Sequence, residues 1–346
     1  MRKVLIAVVV LLALLVAGAV VAAWRYDAGR EDRLAEGIVL ADVDVGGMRL
    51  AEAEAALDER VAAALDEPVR VRYRHGQFVF SPSEAQVSTN LDALLAEALA
   101  ASREGNFLSR AYRDLTGGGL GKRLSLDVSY EAGAVRRFVR AVERQVNREP
   151  REAKSSASFA GVRISPSENG VAVKRDRLAT LIAAALVDPD ADRSFRLPTR
   201  VLRPDVTTDE LEERFEYFLA VSRSQRKLRF FVDRKLEKTY QVAIGAVGFA
   251  TPAGLYRIRT KAVNPAWYVP NKPWAGDLAG EVIPSGDPDN PIKARWLGFW
   301  DGAGIHGTAD TSSIGTAASH GCIRMTVPDV IQLYDRVPLD TPLHIS

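Results

Sequence analysis

From Val4 to Ala23 the chain carries twenty consecutive residues with no charge and no proline. About 20 such residues match the hydrocarbon thickness of a bilayer, so the pattern predicts a membrane-spanning helix over 4–24. A buried core helix normally shows a polar face, and this run shows none. It is longer than the apolar stretch of a secretory signal, and Trp24-Arg25-Tyr26 reads as an interfacial anchor, so the expectation is an uncleaved single span. Arg2 and Lys3 precede it, which predicts residues 1–3 on the cytoplasmic side and everything after about residue 25 outside.

Past a polar linker at 25–36, the pattern changes to alternation. Gly37 to Gly47 reads as a strand entering a Gly-Gly turn, followed by a helix from Arg49 to Leu65 with Leu50, Ala53, Leu57 and Val61 at helical spacing. Pro68 to Phe80 alternates about a His75-Gly76 turn and predicts a hairpin, and Leu91 to Arg103 predicts a second helix. After the Gly117-Gly118-Gly119 break the grammar returns. Leu124 to Val128 reads as a strand, Glu131 to Val146 as a helix, Ala157 to Val173 as two strands turning near Glu168-Asn169-Gly170, and Arg175 to Leu186 as a helix. Two small α+β modules, 37–120 and 121–205, are therefore expected. A bridging helix is placed in 206–225, amphipathic from Asp209 to Val221. From residue 226 to 346 short strands broken by glycine and proline predict a mostly β domain, closed by a helix over Val327 to Arg336 and a strand over Leu339 to Ile345.

The chain has 346 residues, 47% of them hydrophobic, enough for several cores. Its 46 basic and 44 acidic side chains leave a formal charge of +2, which supplies no drive toward nucleic acid. One cysteine excludes an intramolecular disulfide framework and a multi-cysteine zinc site. In an oxidising compartment an unpaired thiol is a liability unless buried or used.

That cysteine, Cys322, has two of the chain's four histidines near it, His306 and His320. An imidazole can take a thiol's proton or hold the thiolate as an ion pair, so the cluster points to a thiolate nucleophile. Gly315 and Gly321 permit a sharp turn in which the amides of Gly321 and Cys322 converge on an oxyanion. A metal site built from His306, His320 and Cys322 lacks metal-ligand spacing, and a structural cysteine seldom has such company. His75, in a hairpin turn without carboxylate or cysteine in register, reads as solvated.

The segments His306-Gly307-Thr308, Ser312-Ser313-Ile314-Gly315 and Ser319-His320-Gly321-Cys322-Ile323-Arg324-Met325 closely resemble the catalytic signature of the L,D-transpeptidase (YkuD-like) family. Upstream, Thr251-Pro252-Ala253-Gly254 resembles the family's Thr-Pro-x-Gly turn, and Asn264-Pro265-Ala266-Trp267 with Asn290-Pro291 resembles its loop over the substrate groove. Ile292-Lys293 departs from the Leu-Gly common there. Gly46-Gly47 and its surroundings are similar to modules that bind peptidoglycan beside such enzymes.

The resemblance implies a β-sandwich-like catalytic domain, with Cys322 as acyl-accepting nucleophile, His306 as base and the Gly307 carbonyl orienting it. Gly321 would supply an oxyanion donor. His320, Arg324, Ser319, Trp267 and Tyr268 would face the substrate, Arg324 receiving a carboxylate, with Trp274 and Trp296 as further groove walls. The expected reaction forms 3→3 crosslinks between peptidoglycan stem peptides through a cysteinyl thioester, without cofactor or metal. L,D-carboxypeptidase activity, attachment of a protein to the wall by the same thioester, and a non-catalytic peptidoglycan-binding scaffold are the alternatives.

Overall fold

Helix α1 (Arg2–Ala28) is the long apolar segment, and its hydrophobic side chains lie exposed along its length. The computed structural model describes residues 1–346 and divides into two compact units. One comprises Met1–Arg148 with Val171–Val201, the other Glu149–Gly170 with Leu202–Ser346.

In the first unit, β1 (Val39–Leu40) turns through Ala41 and Asp42, both at positive φ, into β2 (Val43–Asp44). Helix α2 (Leu50–Leu57) runs on through a π-helical turn, Asp58–Ala62, to Ala63–Asp66. The hairpin β3 (Val69–Tyr73) and β4 (Gly76–Phe80) follows, then α3 (Leu91–Ser102). Helix α4 (Phe107–Leu115), which the hydrophobic pattern did not announce, is capped by Asn106 accepting from the Ser109 amide. Its Arg110 grips the Asp27 carboxylate at the end of α1 with bonds of 2.8 and 2.6 Å.

The two cores of this unit interleave along the sequence. Ile38 and Leu40 pack with Leu57, Val61, Leu94 and Ala98, and β1 pairs in parallel with β5 (Arg123–Leu124) from beyond the triple glycine. Conversely Val69, Val71 and Phe80 pack against Val139 and Val142 of α5 (Ala132–Val146) and Leu178 and Ile182 of α6 (Arg175–Val187), while β3 pairs in parallel with β8 (Ser194–Arg196). Parallel pairing needs a long crossover, so sequence neighbours need not be spatial neighbours, and neither core stays within 37–120 or 121–205.

The second unit corrects two sequence expectations. Between Ala157 and Val173 two strands do flank the turn near Glu168, β7 (Gly161–Ser165) and Gly170–Val173, but they do not pair: β7 pairs with β6 (Lys154–Ser158), turning at Phe159-Ala160. The helix expected from Asp209 to Val221 is only α7 (Thr208–Arg214), with Thr207 and Glu210 forming a reciprocal cap. The chain then becomes β9 (Tyr217–Ser222). Every second β9 side chain enters one core and the rest enter another, so the strand is apolar on both faces, and such a run cannot be told from a buried helix by periodicity.

β9 is the middle of a five-stranded sheet. With β10 (Lys227–Val232), β11 (Lys235–Gln241), β12 (Gly254–Arg257) and β17 (Pro342–Ile345) the order is β11-β10-β9-β17-β12. A second sheet has the order β13 (Thr260–Val263), β14 (Lys293–Trp300), β15 (Ala303–Thr308), β16 (Ile323–Thr326). Leu219, Val221, Leu228 and Phe230 of the first sheet share one core with Leu297, Phe299, Ile305, Ile323 and Met325 of the second, and with Val330 and Leu333 of α8 (Val327–Arg336). The domain is thus the mostly β, sandwich-like body expected. Phe218, Ala220 and Phe231 point the other way and are covered by the β6–β7 hairpin with Leu211 and Phe215.

Candidate active site

β15 and β16 run parallel, with His306 opposite Arg324 and Ile305 opposite Ile323. Side chains alternate along each strand, so Ile305, Ile323 and Met325 fill the core while His306 and Arg324 share the opposite face. Cys322 is the residue immediately before β16, and the same alternation brings its thiol out beside them. Gly304 and Gly307 make room. A Cβ on Gly304 would sit 2.5 Å from the Trp296 ring, and one on Gly307 would sit 2.5 Å from the Lys293 carbonyl.

His306 is 4% exposed, with its Nδ1 2.8 Å from the carbonyl oxygen of Gly307. A carbonyl only accepts, so Nδ1 carries the proton and Nε2 presents a lone pair. Trp296 stacks on the imidazole, centroids 6.0 Å apart. Burial pushes the His306 pKa down to about 4, against the raising influence of the Gly307 carbonyl, and the Arg324 charge adds to the depression. Burial likewise pushes the Cys322 thiol above its ordinary value, opposed by the Gly304 N–H and by Arg324. Of the two ways an imidazole can serve the thiol, desolvation favours proton uptake during attack over a stored ion pair, because burial disfavours both charged forms. Cys322 is half-buried, and its Sγ lies 3.9 Å from the Gly302 carbonyl oxygen.

The turn before the cysteine is tied from within. Ser319, expected at the substrate, is 1% exposed and donates from Oγ to the Cys322 carbonyl at 2.6 Å. The same Oγ accepts the Gly321 amide at 3.2 Å, so this candidate oxyanion donor is engaged in the turn. Gly321 has φ +111°, a conformation that glycine adopts without penalty.

His320 points outward between two rings. Trp274 stacks on it with centroids 4.3 Å apart, and Phe249 meets it edge-on at 4.6 Å. The three groups His306, His320 and Cys322 form no metal-binding cluster. Arg324 lies 3.9 Å from Asp310, and its backbone exchanges two 2.9 Å bonds with Ala243. Trp267 and Tyr268 form a short ribbon with Val282–Ile283, with Tyr268 exposed, and their rings make no aromatic contact with either histidine.

Sequence reasoning missed Phe249 and Gly304. Phe249 lies in a loop whose return is set by buried Thr251, which accepts the Gly245 amide at 2.8 Å. Asn290, 1% exposed, does the same for the groove loops by donating to the carbonyls of Pro265 (3.0 Å) and Pro284 (3.2 Å). The Thr-Pro-x-Gly and Asn-Pro motifs were therefore the signals that these loops are fixed.

Sheet order thus brings a buried histidine and a half-buried thiol to neighbouring strand positions, the pairing of groups that nucleophilic cysteine chemistry requires. A family model described as the L,D-transpeptidase catalytic domain matches residues 216–345, and one described as "Putative peptidoglycan binding domain" matches residues 78–194. "Putative L,D-transpeptidase YqjB" of Bacillus subtilis is 36% identical over 135 residues, covering 37% of this chain and 70% of that protein. "Putative L,D-transpeptidase YkuD" of the same organism is 33% identical over 131 residues, 38% of this chain and 66% of that protein. A crystal structure of an Enterococcus faecium L,D-transpeptidase mutant is similar at 16% identity and TM-score 0.34, over 84% of this chain and 99% of that one. The chain belongs to the L,D-transpeptidase family. The match to a peptidoglycan-binding domain falls mostly in the amino-terminal unit and also takes in residues 149–170 of the second.

Proposed function

We propose that the protein is a peptidoglycan L,D-transpeptidase held at the outer face of the cytoplasmic membrane by α1. Cys322 attacks the carbonyl that precedes the terminal D-residue of a donor stem peptide. The thiol proton passes to His306 Nε2 and then to the leaving amine, as the C–N bond breaks and a thioester forms. An acceptor amine on a second stem gives its proton to the same nitrogen and displaces the sulfur, yielding a 3→3 crosslink. The energy of the broken amide is carried into the new one through the thioester.

The observation that carries this reading is the His306 Nδ1 contact with the Gly307 carbonyl, which puts the proton on Nδ1 and leaves Nε2 free to accept one. A base that is neutral at rest is suited to take the thiol proton during attack instead of storing a charge pair. We assign the Cys322 N–H as backbone donor to the developing oxyanion; the Gly321 N–H, which donates to Ser319, would join it only on release. Arg324 is placed to receive a stem carboxylate.

Digestion of purified sacculus fragments with the protein, followed by mass analysis of the muropeptides, tests this. Crosslinked dimers lacking one terminal D-residue are expected, and Cys322→Ala should give none. Trimmed monomers alone would assign the site to L,D-carboxypeptidase chemistry, with water resolving the thioester. No change in the muropeptides would favour the scaffold.

A further inference from the structure

Outside the cysteine site, the second unit contains a cleft of about 360 Å³ that the proposed chemistry does not use. Its lining includes three guanidinium side chains, Arg214, Arg257 and Arg259, and no carboxylate. Arg214 enters no ion pair in the protein, and Arg259 meets only the exposed Asp340 at 3.1 Å, a surface pair worth about 0–1 kcal/mol. Between the arginines run Tyr256 and Trp300, ring centroids 6.1 Å apart. Trp300 is 54% exposed and Leu255 beside it 59%. Guanidinium charge with no carboxylate inside the cleft, its nearest acids being Asp340 and Glu210 outside the lining, next to a flat apolar wall left to water, matches a ligand that brings both an anion and a ring or methine face.

We propose that this cleft binds an anionic sugar-containing segment of wall polymer, its carboxylate or phosphate held by Arg214 and Arg259 and a sugar face laid on Trp300. The proposal rests on the reading of the protein as a wall enzyme, and it names a holding site on the catalytic unit additional to the amino-terminal unit. Trp300 ends β14, and the turn after it carries Gly302, whose carbonyl oxygen is 3.9 Å from Cys322 Sγ. A strand held there is therefore retained close to the thiol.

The test measures binding of the full chain to soluble sacculus fragments at several salt concentrations, with fragments stripped of phosphate polymers by hydrofluoric acid or left untreated. Arg214→Glu/Arg259→Glu should weaken binding about tenfold or more and flatten its salt dependence, and Trp300→Ala should weaken it without flattening it. A charge-matched control on other exposed positions, Arg163→Glu/Lys235→Glu, should bind as the parent does. Equal loss from treated and untreated fragments assigns the anion to peptidoglycan carboxylates, and loss confined to untreated fragments assigns it to phosphate. Unchanged binding by the cleft variants, or an equal fall in the control, would overturn the proposal. Acylation of Cys322 by a carbapenem, read by intact mass in every variant, reports the nucleophile separately. Loss of that adduct with binding retained would fail the catalytic reading and leave this one standing.

Discussion

His306 is the residue on which the chemistry turns, and its environment makes two measurable statements. With a pKa of about 4 in the folded protein against 6.5 for the free side chain, it stays neutral through the physiological range. As a base it must be unprotonated, so kcat/KM should hold down to about pH 5 and fall below it, without an acidic limb near 6.5. The folded pKa is depressed, so its contribution to stability is fully present above the unfolded value and is lost as pH falls from about 6.5 toward 4. That loss is about 3 kcal/mol and should appear in denaturant titrations of the parent but not of His306→Phe. His306→Ala should cost far more turnover than His320→Ala, since His320 lies between Trp274 and Phe249 and makes no bond to the thiol. Cys322 and His306 were legible because chemistry restricts which residue types can do this work. Trp296 was read as a groove wall, and its stacking on His306 and the room Gly304 leaves for its ring were hidden because they lie in a cross-strand contact.

At the scale of elements, α8 supports β15 and β16 from the core side, and its two ends are held by side chains. Thr326 accepts the Asp329 amide at 3.3 Å, with Pro328 in the first turn, and Lys261 donates to the carbonyls of Tyr334 and Val337 at 2.7 Å each. Lys261→Met should lower unfolding stability by about 1–3 kcal/mol, because two helix-end carbonyls lose their donor, and Thr326→Ala by about 1 kcal/mol. Both are readable in urea titrations. The helix itself was read over its full length from the sequence, with Pro328 suiting its first turn. The segment 208–222 was not, because a strand buried on both faces carries no alternation to read.

For the molecule as a whole, the covered back of the five-stranded sheet sets what can fold alone. The sequence pattern assigned residues 154–165 to a module and began the catalytic domain at 226, yet Phe218 and Phe231 are roofed by that hairpin. A fragment 202–346 should therefore expose two phenylalanines, bind a hydrophobic dye and melt below a fragment 149–346 in which Val171–Val201 is replaced by a short linker. Equal melting temperatures would show that the hairpin is not part of the catalytic core. Interleaving of the amino-terminal cores was equally hidden, because parallel partners such as Arg70 and Ser194 are distant in sequence and share no motif.

The most direct test of the central claim is intact-mass analysis of the protein quenched in acid during turnover of a donor stem peptide. The account predicts an adduct equal to the donor minus its terminal residue, mapped by proteolysis to Cys322, labile to hydroxylamine as a thioester, and nearly absent in His306→Ala. A covalent adduct on another side chain, or crosslinked product formed by Cys322→Ala with no adduct at all, would contradict it.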